Sequence, residues 1–119
     1  MALARTIVLV AEGLLWRATH LHAVGARLVD TLGASDETAR DVAGMMLARG
    51  GRAAIPLLRE ALGQQRHVAQ ALTLLGDVGD ATVEQEIGRF ASTSDADVAR
   101  AAHGALRVLA TRVGREVKR

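Results

Sequence analysis

The sequence predicts an all-α protein, built as an α-solenoid of antiparallel helix pairs that follow a long N-terminal helix. Three observations lead to this prediction. Of the 119 residues 50% are hydrophobic, yet only Trp16 and Phe90 are aromatic, so the core must be aliphatic and rich in helix formers. Apolar residues recur at spacings of three and four, as on one side of a helix. A segment pattern also repeats along the chain, as in stacked helical repeats.

The first 33 residues predict an apolar helix that packs on the repeats. Its main apolar stripe comprises Leu3, Ile7, Val10, Leu14, Leu21, Val24 and Leu28. The segment is either one long helix or two helices kinked near residues 19–22. The uncharged run over residues 6–11 is too short to span a membrane. A secretory signal peptide with Arg5 as its charged region is the less favoured alternative, because the apolar pattern continues into the domain.

Further apolar residues lie beside this stripe: Val8, Leu9, Leu15 and Trp16. The terminal helices of solenoids usually present a polar outer face. The N-terminal helix is therefore either wrapped by the rest of the fold or an interface. We predict these four residues as partner-binding residues.

Two helices are expected between residues 34 and 63. Gly33 supplies a stop that tolerates a left-handed backbone, and Ser35 caps the next helix, which ends at the Gly50–Gly51 pair. The second helix runs from about residue 52 to 62. Pro56 lies near its start, where the missing N–H costs little.

Three more helices are expected over about residues 66–75, 81–91 and 96–112. Asp80 is placed to cap the second of them, after a tight connection over residues 76–80. A polar loop over residues 92–95 precedes the last helix. Residues 113–119 are expected to form a frayed basic tail.

The repeat is visible when LARGGRAAI, from Leu47, is compared with LGDVGDATV, from Leu75. The leucine, the last glycine, an alanine and the final aliphatic residue recur 28 positions later. Leu62 and Phe90 keep the same spacing, and Leu106 follows Leu75 by 31 positions. The repeating unit is therefore a helix, a tight turn, a second helix and a polar loop.

These segments resemble the short HEAT-like repeats of the phycobilisome-lyase type. DVARAAHGAL, residues 97–106, is similar to the first helix of that repeat, LGDVGD, residues 75–80, to its turn, and AIPLLREAL, residues 54–62, to its second helix. One departure is Ala81, where the family often has proline. The resemblance covers about residues 36–112 and implies HEAT-like repeats over residues 34–112 that bind proteins or self-assemble.

Catalytic, cofactor-binding and metal-binding residues are not predicted, and neither is an enzyme activity. The chain has no cysteine, which excludes disulfides and thiolate chemistry. His20 and His22 would point to nearly opposite sides of one helix. Asp77 and Asp80 invite a calcium site, but helix capping explains them better.

Arginine clusters suggest further partner-binding residues: Arg49, Arg52 and Arg59 in the first repeat, and Arg112 and Arg115 in the basic C-terminal part. The net charge of +2 is small for a nucleic-acid-binding protein, and acidic residues dominate the stretch between the two clusters. The favoured function is a non-enzymatic protein–protein interaction scaffold or adaptor that binds another protein or self-assembles. The alternatives are a nucleic-acid-binding module and a regulatory subunit of an enzyme. We expect a cytoplasmic protein without transmembrane span, cofactor or peripheral membrane contact.

Overall fold

The computed structural model of this chain describes residues 2–19 and 22–118, with side-chain surroundings for residues 3–16 and 22–114. Over these residues the chain is helical and contains no strand. The α-helices are α1 (Ala2–Thr19), α2 (His22–Thr31), α3 (Glu37–Arg49), α4 (Ile55–Gly63), α5 (Val68–Val78), α6 (Glu84–Phe90) and α7 (Ala96–Lys118). Short 3₁₀ turns, Gly51–Ala54 and Ala81–Val83, lead into α4 and α6. The predicted all-α class is confirmed.

The helices pack in a regular order. α1, α3, α5 and α7 contact one another in that sequence, and the α5–α7 contact is the most extensive. α2 packs on α1, α3 and α4, while α4 packs on α5 and α6 packs on α7. The extents of 40 × 37 × 21 Å fit two layers of helices, each about 10 Å thick.

The sequence left open whether the N-terminal segment is one long helix or two. The structure shows two helices, α1 and α2. Residues 20 and 21, where the kink was expected, lie outside the described residues. α1 packs on α2 and α3 through Leu9, Gly13 and Trp16, which we call the inner α1 face. Trp16 is 1% exposed and fills space beside Gly25 and Gly50, where a Cβ atom would collide with the indole ring.

Helix capping agrees with the sequence at Asp80 and differs at the start of α3. The Asp80 carboxylate accepts a hydrogen bond from the Thr82 N–H at 2.9 Å, as predicted. The cap of α3 is Asp36, which accepts from the Thr38 N–H at 3.0 Å, and not Ser35. A carboxylate is the stronger acceptor and also favours the positive end of the helix dipole.

The ends of α5 and α7 differ from the prediction. α5 continues through the expected connection to Val78, which is buried, and Gly79 is its C-cap. α7 extends to Lys118, so the segment expected to fray is helical up to that residue. Arg112 donates hydrogen bonds to the carbonyl oxygens of Gly76 (3.0 Å) and Gly79 (2.8 Å), which joins α7 to the end of α5.

The left-handed backbone positions also differ from the prediction. Gly33 was expected to be left-handed, but among the described residues the positive-φ positions are Gly51 (57°), Gln65 (55°) and His67 (48°). At Gly33 the absent Cβ atom instead leaves space for the imidazole of His67. Two non-glycine residues thus form the tight turn between α4 and α5.

Candidate protein-interaction surface

Large apolar side chains are exposed on one side of α1. Within the described residues seven large hydrophobic side chains are exposed, and five of them belong to this helix. They are Leu3 (74% exposed), Ile7 (60%), Val8 (54%), Leu14 (55%) and Leu15 (48%). Exposed apolar residues scattered singly are ordinary, whereas a contiguous group of this kind is a candidate interaction site.

These residues share one helix face because their spacing follows the helical repeat. At 3.6 residues per turn, Leu3, Ile7 and Leu14 form one row and Val8 and Leu15 form the next. Two exposed alanines lie between the rows, seven positions apart: Ala4 and Ala11. We call these seven residues the outer α1 face. It lies opposite the inner α1 face and carries no charged residue.

The predicted partner-binding residues of α1 divide between the two faces. Val8 and Leu15 lie on the outer α1 face, as a docking role requires. Leu9 and Trp16 are 4% and 1% exposed in the core, so neither is available to a partner in this structure. Leu3, Ile7 and Leu14 belong to the main apolar stripe and were not predicted as site residues. Their three-four spacing shows that they share one side of the helix but does not decide whether that side is buried or exposed.

Among the side chains that the structure describes in α1, the charged ones are Arg5 and Glu12, which lie on one flank between the outer and inner faces. Arg5 is exposed, and no acidic residue lies three or four positions further along its helix. Glu12 lies two turns beyond Arg5 on the same flank, and its carboxylate is 4.0 Å from the guanidinium of Arg27 in α2. The flank therefore carries one positive and one negative group.

The predicted arginine clusters are not brought together as one surface. Arg59 pairs with Glu86, with its Nε atom 3.1 Å from the carboxylate, and so joins α4 to α6. Arg112 is half-buried and bonds to backbone carbonyls, as described above. Arg49 and Arg52 are exposed on either side of the turn between α3 and α4. Arg115 lies in α7, beyond the residues whose side chains the structure describes.

A second apolar feature is a shallow groove between α3 and α5. It has a volume of about 310 Å³ and is floored by Leu32 and Leu74. Met45 is 42% exposed at its rim, whereas Met46 is buried in the core. Of these two adjacent methionines, Met46 is a core residue and Met45 lies at the surface.

The aspartates that suggested a calcium site have separate surroundings. The hydroxyl and backbone N–H of Thr82 hydrogen-bond to Asp80, and these bonds lower the pKa of its carboxyl group below 3.8. Asp77 lines a different groove, between α5 and α7. Among the described residues, no group of three or more potential ligands is arranged to hold a metal ion. His20 lies outside those residues.

Among the helices that the structure describes, none is both long enough and apolar enough to cross a bilayer. In comparisons with known proteins, no family model, no curated protein and no solved structure matches this chain.

Proposed function

We propose that this chain is a helical scaffold of the HEAT-like type that binds a protein through the outer α1 face. The observation that carries the proposal is the group of five exposed large apolar side chains on one helix face. Together the five side chains expose about as much apolar surface as three fully exposed ones. Burying this surface in an interface would contribute roughly 4–9 kcal/mol to the free energy of binding. The partner's surface contributes a similar amount, and the two sides together offset a cost of association of about 4–15 kcal/mol.

The repeat supports the scaffold part of the proposal. Leu47 and Leu75, which are 28 positions apart in the sequence, are both fully buried near the ends of α3 and α5. Ile55 and Val83 keep the same spacing and lie where the 3₁₀ turns meet α4 and α6. Equivalent residues thus occupy equivalent places in two successive helix pairs, as in a solenoid.

The position of α1 explains why its outer face needs a partner. A helix within a solenoid packs against a repeat on each side. α3 has α1 on one side and α5 on the other. The extensive contacts of α1, by comparison, are with α2 and α3. The outer α1 face is therefore suited to receive a further helix.

Nucleic-acid binding is less well supported by the charges. Arg59 and Arg66 are paired with Glu86 and Asp30, so their charges are partly neutralised within the domain. The guanidinium of Arg112 is directed to backbone carbonyls. A phosphate backbone would meet exposed Arg49 and Arg52 without a continuous positive surface around them.

A test of the proposal uses the absence of cysteine from the sequence. Single cysteines are placed at Ala11, in the outer α1 face, and at Ala110, an exposed alanine of α7 that serves as the matched control. The rate of maleimide labelling is measured in dilute purified protein and inside cells of the native host. We expect the Ala11→Cys rate to be lower in cells than in dilute solution, and the Ala110→Cys rate to change little. Equal accessibility of both cysteines in cells would show that the outer α1 face is uncovered, and the proposal would fail.

A further inference from the structure

We infer that the partner of the outer α1 face is a second copy of this chain, whose α1 packs antiparallel to the first. The inference rests on the proposed function and identifies the occupant of the same surface. Two observations on α1 lead to it: the heptad arrangement of its exposed residues, with large side chains placed to meet small ones, and the area that it exposes.

The exposed residues of α1 follow the pattern of a two-helix interface. Ala4 and Ala11 are seven positions apart, and Ile7 and Leu14 keep the same interval three positions later. This a and d pattern is typical of paired helices. It is separate from the inner α1 face, so α1 can pack on its own domain and on another helix at once.

An antiparallel pairing alternates large and small residues. When Ile7 lies against Ala11 of the second copy, Leu14 lies against Ala4 of the second copy, and two-fold symmetry repeats both contacts. Each large side chain then fills the space above an alanine, so the helices approach closely without overlap. A parallel pairing would place alanine against alanine and isoleucine against isoleucine, in layers of unequal width.

The charged side chains described on α1 lie outside the seam of this pair. With Ala4 and Ala11 at a and Ile7 and Leu14 at d, Arg5 and Glu12 fall at b positions, which point away from the second copy. Glu12 lies instead 4.0 Å from Arg27 of its own domain. The positions that flank the seam, Val8 and Leu15 on one side and Leu3 and Val10 on the other, are apolar, so the fit of large against small residues sets the orientation.

The exposed area sets the strength of the pairing. Five half-exposed aliphatic side chains with two alanines form a patch on the order of 500 Å², within the range of the largest patches on ordinary monomers. Two such patches bury about 1,000 Å² in total, near the lower limit for a specific interface. We therefore expect a reversible dimer with a dissociation constant on the order of 10–100 μM.

The first experiment is sedimentation equilibrium of the purified full chain from about 1 to 500 μM. Wild type should pass from monomer to dimer over this range. Val8→Glu should raise the dissociation constant at least about thirtyfold, whereas Val108→Glu, at a 41% exposed valine of α7, should leave it within about threefold. A chain that is monomeric throughout, or that dimerises equally well with both substitutions, overturns the inference.

The second experiment tests the orientation by disulfide cross-linking. Val8 and Leu15 are exposed positions one heptad apart, which makes them a matched pair. In the proposed register the two copies of residue 8 are offset by only about 3 Å along the axis, and the two copies of residue 15 by about 18 Å. Val8→Cys should therefore cross-link much faster than Leu15→Cys. Equal rates, as expected for parallel helices, would overturn the antiparallel arrangement.

Circular dichroism of each variant in both experiments confirms that the helices are intact.

The outcomes separate this inference from the proposed function. If the purified chain stays monomeric while Ala11→Cys is protected in cells, the surface binds another protein and only the self-pairing fails. If neither occurs, both fail. A monomeric chain that binds phosphatidylcholine–phosphatidylglycerol vesicles through the same residues would overturn the self-pairing in favour of a lipid surface.

Discussion

Replacing Trp16 with alanine tests how α1 is held on the domain. Trp16 is 1% exposed and is the largest side chain of the inner α1 face. The glycines beside it, Gly25 and Gly50, have no side chains that could turn into the cavity left by the indole ring. We therefore expect Trp16→Ala to lower the free energy of unfolding by about 3–5 kcal/mol, toward the upper end of that range.

The size of this loss can be compared with the whole stability of the domain. A domain of this length has a free energy of unfolding of about 5–15 kcal/mol, so the substitution removes a large part of it. It should lower the Tm by roughly 10–20 °C. If α1 detaches alone, the ellipticity at 222 nm falls by about the share of α1, which is 18 of the 91 α-helical residues described, before the main transition.

The assay is urea denaturation followed by circular dichroism in dilute solution, where self-association does not contribute. Leu14→Ala is the control on the same helix, because Leu14 is 55% exposed, and its effect should be small, within about 1 kcal/mol. The wild-type emission of Trp16 should also be blue-shifted and resist quenching by acrylamide. A loss below about 1 kcal/mol for Trp16→Ala, or a loss equal to that of Leu14→Ala, would refute the assignment of the inner α1 face.

Three further predictions concern the α5–α7 contact and one helix cap. Gly76→Val should destabilise the domain by about 1–3 kcal/mol in urea denaturation, because a Cβ atom there would lie 2.7 Å from the Cα atom of Ala105; an unchanged midpoint would contradict this close approach. Arg112→Met should cost about 1–3 kcal/mol, since it keeps the apolar stem but removes the hydrogen bonds to the end of α5, and hydrogen exchange there should accelerate. Hydrogen bonds from Thr82 lower the pKa of Asp80, so its stabilising effect is present above the ordinary value of 3.8 and is lost as the pH falls through the lowered pKa. The stability difference between wild type and Asp80→Asn should therefore narrow on acidification below about pH 4, and a pH-independent difference would count against the cap.

Helix content was predictable from the sequence because several local signals agree. Asp80 caps a helix as its position after a glycine predicts, and Pro56 lies in the first turn of α4, where proline is tolerated. Leu47 and Leu75 are both fully buried, as expected of apolar residues on the inner side of their helices. These features depend on short stretches of sequence, so no knowledge of distant contacts is needed.

Features that depend on distant contacts were not predictable. Gln65 and His67 adopt a left-handed backbone, which residue type disfavours, and the imidazole of His67 occupies the space beside Gly33, a residue 34 positions earlier. The extension of α7 beyond residue 112 accompanies the hydrogen bond from Arg112 to Gly79, on another helix. Neither neighbour can be identified from local propensity.

The orientation of α1 shows the same limit at the candidate site. Apolar residues occur on most sides of α1, so the periodicity of its hydrophobic residues does not indicate which side is buried. Packing decides instead: at Gly13 a Cβ atom would overlap the side chain of Met46 in α3, so α1 can approach α3 this closely only through the face that carries the glycine. If the amount of apolar surface alone had decided, the face with Leu3, Ile7 and Leu14 would be the buried one. Its exposure therefore follows from the shape of the domain, and covering it requires a second surface of matching size and spacing.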